Sequence, residues 1–384
     1  MKASHFVWLW AVVCGASLSG QPPPPANRVD ALNDALAGGR RTLARDARTG
    51  YLAPVLEALG VAAESQLLVF SKTGLQREYT SPRNPRALYF NESVVVGYNP
   101  GAPVIEIAAH DAKDGVAFYT LEQAAAAPVF TRQTTCLTCH VSETTLNVPG
   151  LIDRSNMVDR DGTVIPAFGS HAVTHETPHT DRWGGWFVTS SGPTPPYQPF
   201  GHLGNLTTAG PKVISDQVLV EWLDSGPETR GYLSSSSDLA PMQVFNHQTH
   251  AINLMTKLNL ESRANPKGAA VPRLLNELTD YLLFVREAAT AVPVSPRPGF
   301  AEALLSRVPK DHQGRSLAQL DLTTRLLRYP CSYMIYSDAF EALPAAIKTA
   351  VYRRIVQATR SSANGRVIAE ILRDTKADLP PDLR

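Results

Sequence analysis

The stretch SVVVGYNPGAPVIEIAAHDAKDGVAFYTL, residues 93–121, decides the fold. Three runs rich in Val, Ile, Phe and Tyr, at 93–98, 104–109 and 116–121, are separated by Asn99-Pro100-Gly101 and by Asp111-Ala112-Lys113-Asp114-Gly115. Such short runs joined by Gly, Pro, Asn and Asp read as strands with tight turns. Connections this short permit only antiparallel neighbours. Two further runs upstream, 66–71 and 87–90, extend the pattern into a small antiparallel meander.

Outward from this meander the period changes. Residues 27–59 carry apolar side chains at helical spacing, Val29, Leu32 and Leu36, then Leu52, Val55, Leu56 and Leu59, with Gly38-Gly39 as a break. Residues 132–243 are rich in Pro and Gly and read as loops. From Pro241 onward helices are expected at 242–260, 271–288, 301–308, 316–329, 345–359 and 366–374. Leu274, Leu275, Leu278, Tyr281, Leu282 and Val285 share one face. The fold class is therefore α+β: a small antiparallel sheet in the N-terminal part, a loop-rich middle and a helical C-terminal part.

The N-terminus has the layout of a secretory signal peptide. Lys2 precedes the short apolar run FVWLWAVV at 6–13, and small residues follow. Alternatives are an uncleaved anchor, or lipid modification at Cys14. The regions expected are a signal peptide at 1–19, a Pro-rich spacer at 20–26, an α+β region at 27–130, a loop-rich region at 131–240 and a helical region at 241–384. No later stretch is long and apolar enough to span a membrane. With 43% hydrophobic residues the chain can build a sizeable core, and a net charge of +1 lacks the basic excess of a nucleic-acid binder.

Past residue 19 three cysteines remain, Cys136, Cys139 and Cys331, which is no disulfide scaffold. Cys331 stands alone among apolar neighbours and reads as a buried small side chain. Cys136-Leu137-Thr138-Cys139-His140 is the C-x-x-C-H signature of c-type haem attachment. Two thiols on one turn reach the two vinyl groups of one porphyrin, and the adjacent imidazole meets the iron. Attachment outside the cell agrees with export. No second C-x-x-C pair completes a zinc site, and no βαβ pattern suggests a redox dithiol. One motif implies one covalent haem c and its iron, with His140 as the proximal ligand.

The opposite axial position separates electron carriers from enzymes and sensors. No Met lies between Met157 and Met242, whereas seven of the ten His lie from His140 to His250. The distal ligand is therefore expected to be His175, His202, His247 or His250. His202 is flanked by Gly201 and Gly204, which allow close approach of a flat ligand. His247 and His250 share a helix face. Arg182 fits a propionate, and Trp183 and Trp186, around a Gly pair, fit either a porphyrin face or a core strand with two large anchors. Asp159-Arg160-Asp161-Gly162 lacks the remaining calcium ligands and reads as a hairpin turn.

The segments 81–90, 136–140, 182–187, 247–250 and 328–333 together resemble an uncharacterised family of exported bacterial proteins with a cytochrome c domain. The resemblance covers nearly the whole mature chain. It implies haem and export, and no reaction. It also favours His175, His202, His247 and His250 over His171 and His179. The expected function is periplasmic electron transfer with a redox partner protein. The alternatives are a peroxidase-like haem oxidoreductase with an open distal position, and a haem-based sensor or binding module.

Overall fold

Both turns of the 93–121 stretch close where the glycines allow. Gly101 and Gly115 have φ of 79° and 89°, and the Asp111 carboxylate accepts from the Lys113 and Asp114 amides inside the second turn. The computed structural model describes residues 26–159, 161–188, 229–234, 236–290, 294, 298–362 and 364–384. The signal peptide, most of the Pro-rich spacer and His202 lie outside the described residues.

Helices α1 (Arg28–Ala37) and α2 (Leu52–Leu59) precede strands β1 (Leu67–Val69), β2 (Arg86–Phe90), β3 (Val94–Tyr98), β4 (Val104–Asp111), β5 (Gly115–Glu122) and β6 (Phe130–Arg132). A short helix α3 (Leu137–His140) follows, then β7 (Arg154–Asn156), β8 (Ser170–Ala172) and β9 (Trp186–Phe187). The main sheet is antiparallel with order β6-β5-β4-β3-β2-β1-β9. Among the described residues its seven strands exceed the small sheet expected. The last comes from the loop-rich region, so that region and the N-terminal one share a sheet. β7 and β8 form a separate hairpin.

The C-terminal part holds α4 (Leu239–Ala264), α5 (Ala270–Leu282), α6 (Phe300–Arg307), α7 (Asp338–Glu341), α8 (Ala345–Thr359) and α9 (Gly365–Thr375). The expected helix over 316–329 does not form. The Asp321 carboxylate caps the Thr323 and Thr324 amides, Leu322 has φ of 59°, and Leu320 bridges to Leu327. A side chain that satisfies local amides competes with the helix ladder. The leucines of this stretch are buried through turns instead.

Both faces of the sheet are covered. On one, Val96, Ile105, Ile107, Tyr119 and Leu121 pack with Val29, Leu52, Val55 and Leu56 of α1 and α2. On the other, Phe90, Val95, Val116 and Phe118 belong to one cluster with Phe245, Leu254, Leu278 and Tyr333. Among the described residues no helix is long and apolar enough to cross a membrane.

Candidate functional site

The C-x-x-C-H run forms the last turn before a strap that crosses from the sheet to α4. Cys136 begins the turn, and its carbonyl accepts from the His140 amide at 3.0 Å. Cys136 is half-buried, Cys139 is exposed, and both are free thiols. Both therefore sit on one short helix at the protein surface, with Val141 beside them 40% exposed.

His140 is fixed by two contacts. Its ring lies 4.3 Å from that of Phe118 in β5. Its Nδ1 is 2.8 Å from the Gly150 carbonyl oxygen. A carbonyl only accepts, so Nδ1 carries the proton and Nε2 bears the lone pair. Burial pushes the imidazole below its usual range, which keeps it neutral near pH 7. A neutral ring with one nitrogen anchored on a carbonyl and the other bearing a lone pair is the arrangement metal-ligating histidines use. Burial also pushes the Cys136 thiol up, with Glu106 adding to the effect.

The Gly150 carbonyl is itself held. Asn253 of α4 accepts from the Leu151 amide and donates to the Leu151 carbonyl, each at 2.8 Å. The Val116 amide donates to the Pro149 carbonyl at 3.0 Å. A Cβ at Gly150 would stand 2.4 Å from Asn253 Oδ1, so only glycine lets the amide clamp close. Phe118, Gly150 and Asn253 were not singled out from sequence. Their roles depend on contacts between distant segments, and Pro149-Gly150 read as an ordinary loop.

His175, His247 and His250 gather around Tyr281. His175 and His247 meet Nδ1 to Nδ1 at 2.7 Å, and His247 Nε2 is 2.7 Å from Ser332 Oγ. His175 stacks on Tyr281 at 4.0 Å, and His250 meets Tyr281 edge-on at 4.8 Å. His247 and Ser332 are fully buried, His175 is 2% exposed, and His250 is half-buried. Burial lowers His175 well below its usual range, His247 to about 3 and His250 to about 4. The chain closes in two proton orders. Ser332 donates to His247 and His247 to His175, or the reverse, with His175 donating inward. In the reverse order His175 Nε2 bears a lone pair. That nitrogen is buried and has no hydrogen-bond partner.

Arg182 holds the loop that carries His175. Its Nε donates to the Thr177 carbonyl at 2.7 Å and its Nη2 to the His175 carbonyl at 2.9 Å. The indole of Trp183 donates to Asn246 at 3.2 Å, and that of Trp186 to the Arg154 carbonyl at 2.8 Å. These two rings are 1% and 4% exposed. From sequence they were expected against a porphyrin or as anchors of a core strand, and all the contacts described here are core contacts. His171 is exposed, and its Nε2 is 2.6 Å from the Asp181 carbonyl. His179 is buried near Trp183.

Comparison with protein-family profiles, curated proteins and solved structures finds no match to this chain. The site is therefore read from its own geometry. Among the described residues no group of three or more His, Cys, Asp or Glu is arranged to hold a bare metal ion. The hairpin at Asp159 is a turn: its carboxylate accepts from the Asp161 and Thr163 amides, and Val158 bridges to Val164. Cys331 is fully buried, and burial pushes its thiol up to about 12.

Proposed function

We propose that this chain is an exported, periplasmic c-type haem protein that carries one covalent haem and transfers electrons to or from a redox partner protein. The thioethers form at Cys136 and Cys139, and His140 Nε2 is the proximal iron ligand. The observation that carries this reading is the hydrogen bond from His140 Nδ1 to the clamped Gly150 carbonyl, beside two free thiols on one surface turn. The residues present fit the group: two thiols for the vinyls and a neutral imidazole whose Nε2 bears a lone pair. Haem supplies one-electron chemistry; the chain orients the ligand and limits rotation of its ring.

Electron transfer is favoured over turnover because the motif lies at the surface. Cys139 is exposed, so a haem attached there would be accessible to a partner. Export rests on residues 1–19, and the kinship with exported cytochrome c domain proteins rests on the segments quoted above. His175 is the preferred distal ligand. When its Nδ1 donates to His247, its unpartnered Nε2 bears the lone pair a ligating ring requires. His247 has both nitrogens engaged and follows His250 and His202 in preference.

The test is a denaturing gel stained for haem, run on protein secreted by a host that attaches c-type haem. Haem co-migrating with the denatured chain is expected. An unstained band would overturn the proposal. For the distal side, His175→Ala should convert a six-coordinate absorption spectrum to a five-coordinate one. An unchanged spectrum would remove His175 as ligand.

A further inference from the structure

Glu106 and Ala108 lie two apart on β4 and point to the same face of the sheet. Ala108 is paired with Phe118, the residue whose ring carries His140. Glu106 is therefore the diagonal neighbour of that ring's support, about 7 Å across the sheet. Its carboxylate is fixed at both oxygens: Gln76 Nε2 donates to Oε1 at 3.0 Å, and Arg86 Nη1 lies 3.2 Å from Oε2. Gln76 is fixed in turn, because its side-chain amide pairs with the backbone of Val104 like a strand. A Cβ at Gly74 would stand 2.3 Å from Arg86 Nη1, so glycine there makes room for the guanidinium. Both charged side chains are 19% exposed, which limits screening by water.

We propose that Arg86 and Glu106 act as two opposed charges on the haem held at His140, each shifting its reduction potential by about as much as the other shifts it back. This rests on the haem reading above. Ferric haem carries one more positive charge than ferrous haem. A carboxylate nearby stabilises the ferric form and a guanidinium stabilises the ferrous form. As a pair they nearly cancel, so the site is poised between two charges of fixed position. Removing one leaves the other uncompensated in a medium of low dielectric, where its field is strong.

The experiment is a spectroscopic redox titration of the haem-loaded full chain and three variants: Glu106→Gln, Arg86→Gln and the double variant. Glu106→Gln should favour the reduced form by about tenfold, a rise of about 59 mV for one electron. Arg86→Gln should lower the potential by a similar amount. The double variant should return close to the parent. Loss of packing alone would not give shifts of opposite sign that cancel. Two shifts of the same sign, or no shift in either haem-loaded single variant, would overturn the inference. A parent chain without covalent haem would instead overturn the haem reading, and the stained gel tells the two apart.

Discussion

Two histidine sites in this chain use the same ring in opposite ways. His140 is half-buried, with one nitrogen on a backbone carbonyl and the other bearing a lone pair. His247 is fully buried with both nitrogens on side chains, His175 and Ser332. The difference is one of accounting for polar atoms. Pairing both nitrogens inside the fold stabilises a ring buried as deeply as His247, because an unpaired one costs about 1–3 kcal/mol. A ring kept for a cofactor must have one nitrogen left over. Only a rigid acceptor on the other side stops such a ring from turning away, and the Asn253 clamp on Leu151 supplies that rigidity.

The contrast predicts where substitutions act. The largest effect belongs to Cys136→Ala with Cys139→Ala: covalent haem is lost completely while the fold survives. Haem staining and a thermal melt check both halves. Loss of the fold along with the haem would mean the surface turn is structural.

Thiol reactivity should separate the two regions next. In haem-free protein Cys139 is exposed and reacts with a labelling reagent within the mixing time. Cys331 reacts only as fast as the molecule unfolds globally, slower by about three orders of magnitude or more. Rapid native labelling of Cys331, read by mass, would contradict its burial.

His247→Ala comes third. It leaves a cavity and removes one hydrogen bond each from His175 Nδ1 and Ser332 Oγ, so a loss of about 3 kcal/mol is expected in urea denaturation. His140→Ala should cost the haem-free chain less. Equal losses would erase the contrast drawn above.

The smallest effect is on pH dependence. His110 is 4% exposed and neither ring nitrogen has a partner, so burial lowers its pKa to about 4. In the unfolded chain a histidine takes up its proton near pH 6.5. The unfolded state therefore binds more protons between those values, and stability is lost as pH falls below about 6.5. His110 contributes about 2 kcal/mol of that loss between pH 7 and pH 5. His247 and His250 act in the same direction. Asp153, raised to about 7 by burial, acts in the opposite one. His110→Leu should flatten the profile by its own share, and an unchanged slope would show that His110 is not the group responsible.

Strands β1 to β5 were legible because they are local: runs of β-branched residues between glycine and proline turns announce themselves. β9 was not, because it joins the sheet beside β1, more than 100 residues earlier, through a contact no local pattern encodes. Leu317, Leu320, Leu326 and Leu327 imitated a helix, yet Asp321, Thr323 and Thr324 between them favour a capped turn. At the C-x-x-C-H run the two thiols and the adjacent imidazole were legible from spacing alone. Their supports were not, since Phe118, Gly150 and Asn253 come from a strand, a strap and a helix that meet only in three dimensions. The pairing of His175 with His247 was hidden for the same reason.

The most direct test of the central claim is the intact mass of the denatured chain after secretion from a haem-attaching host. The expected result is the mass of the processed chain plus one haem, and the bare mass for the variant lacking Cys136 and Cys139. A parent chain of bare mass, secreted and folded, would contradict it.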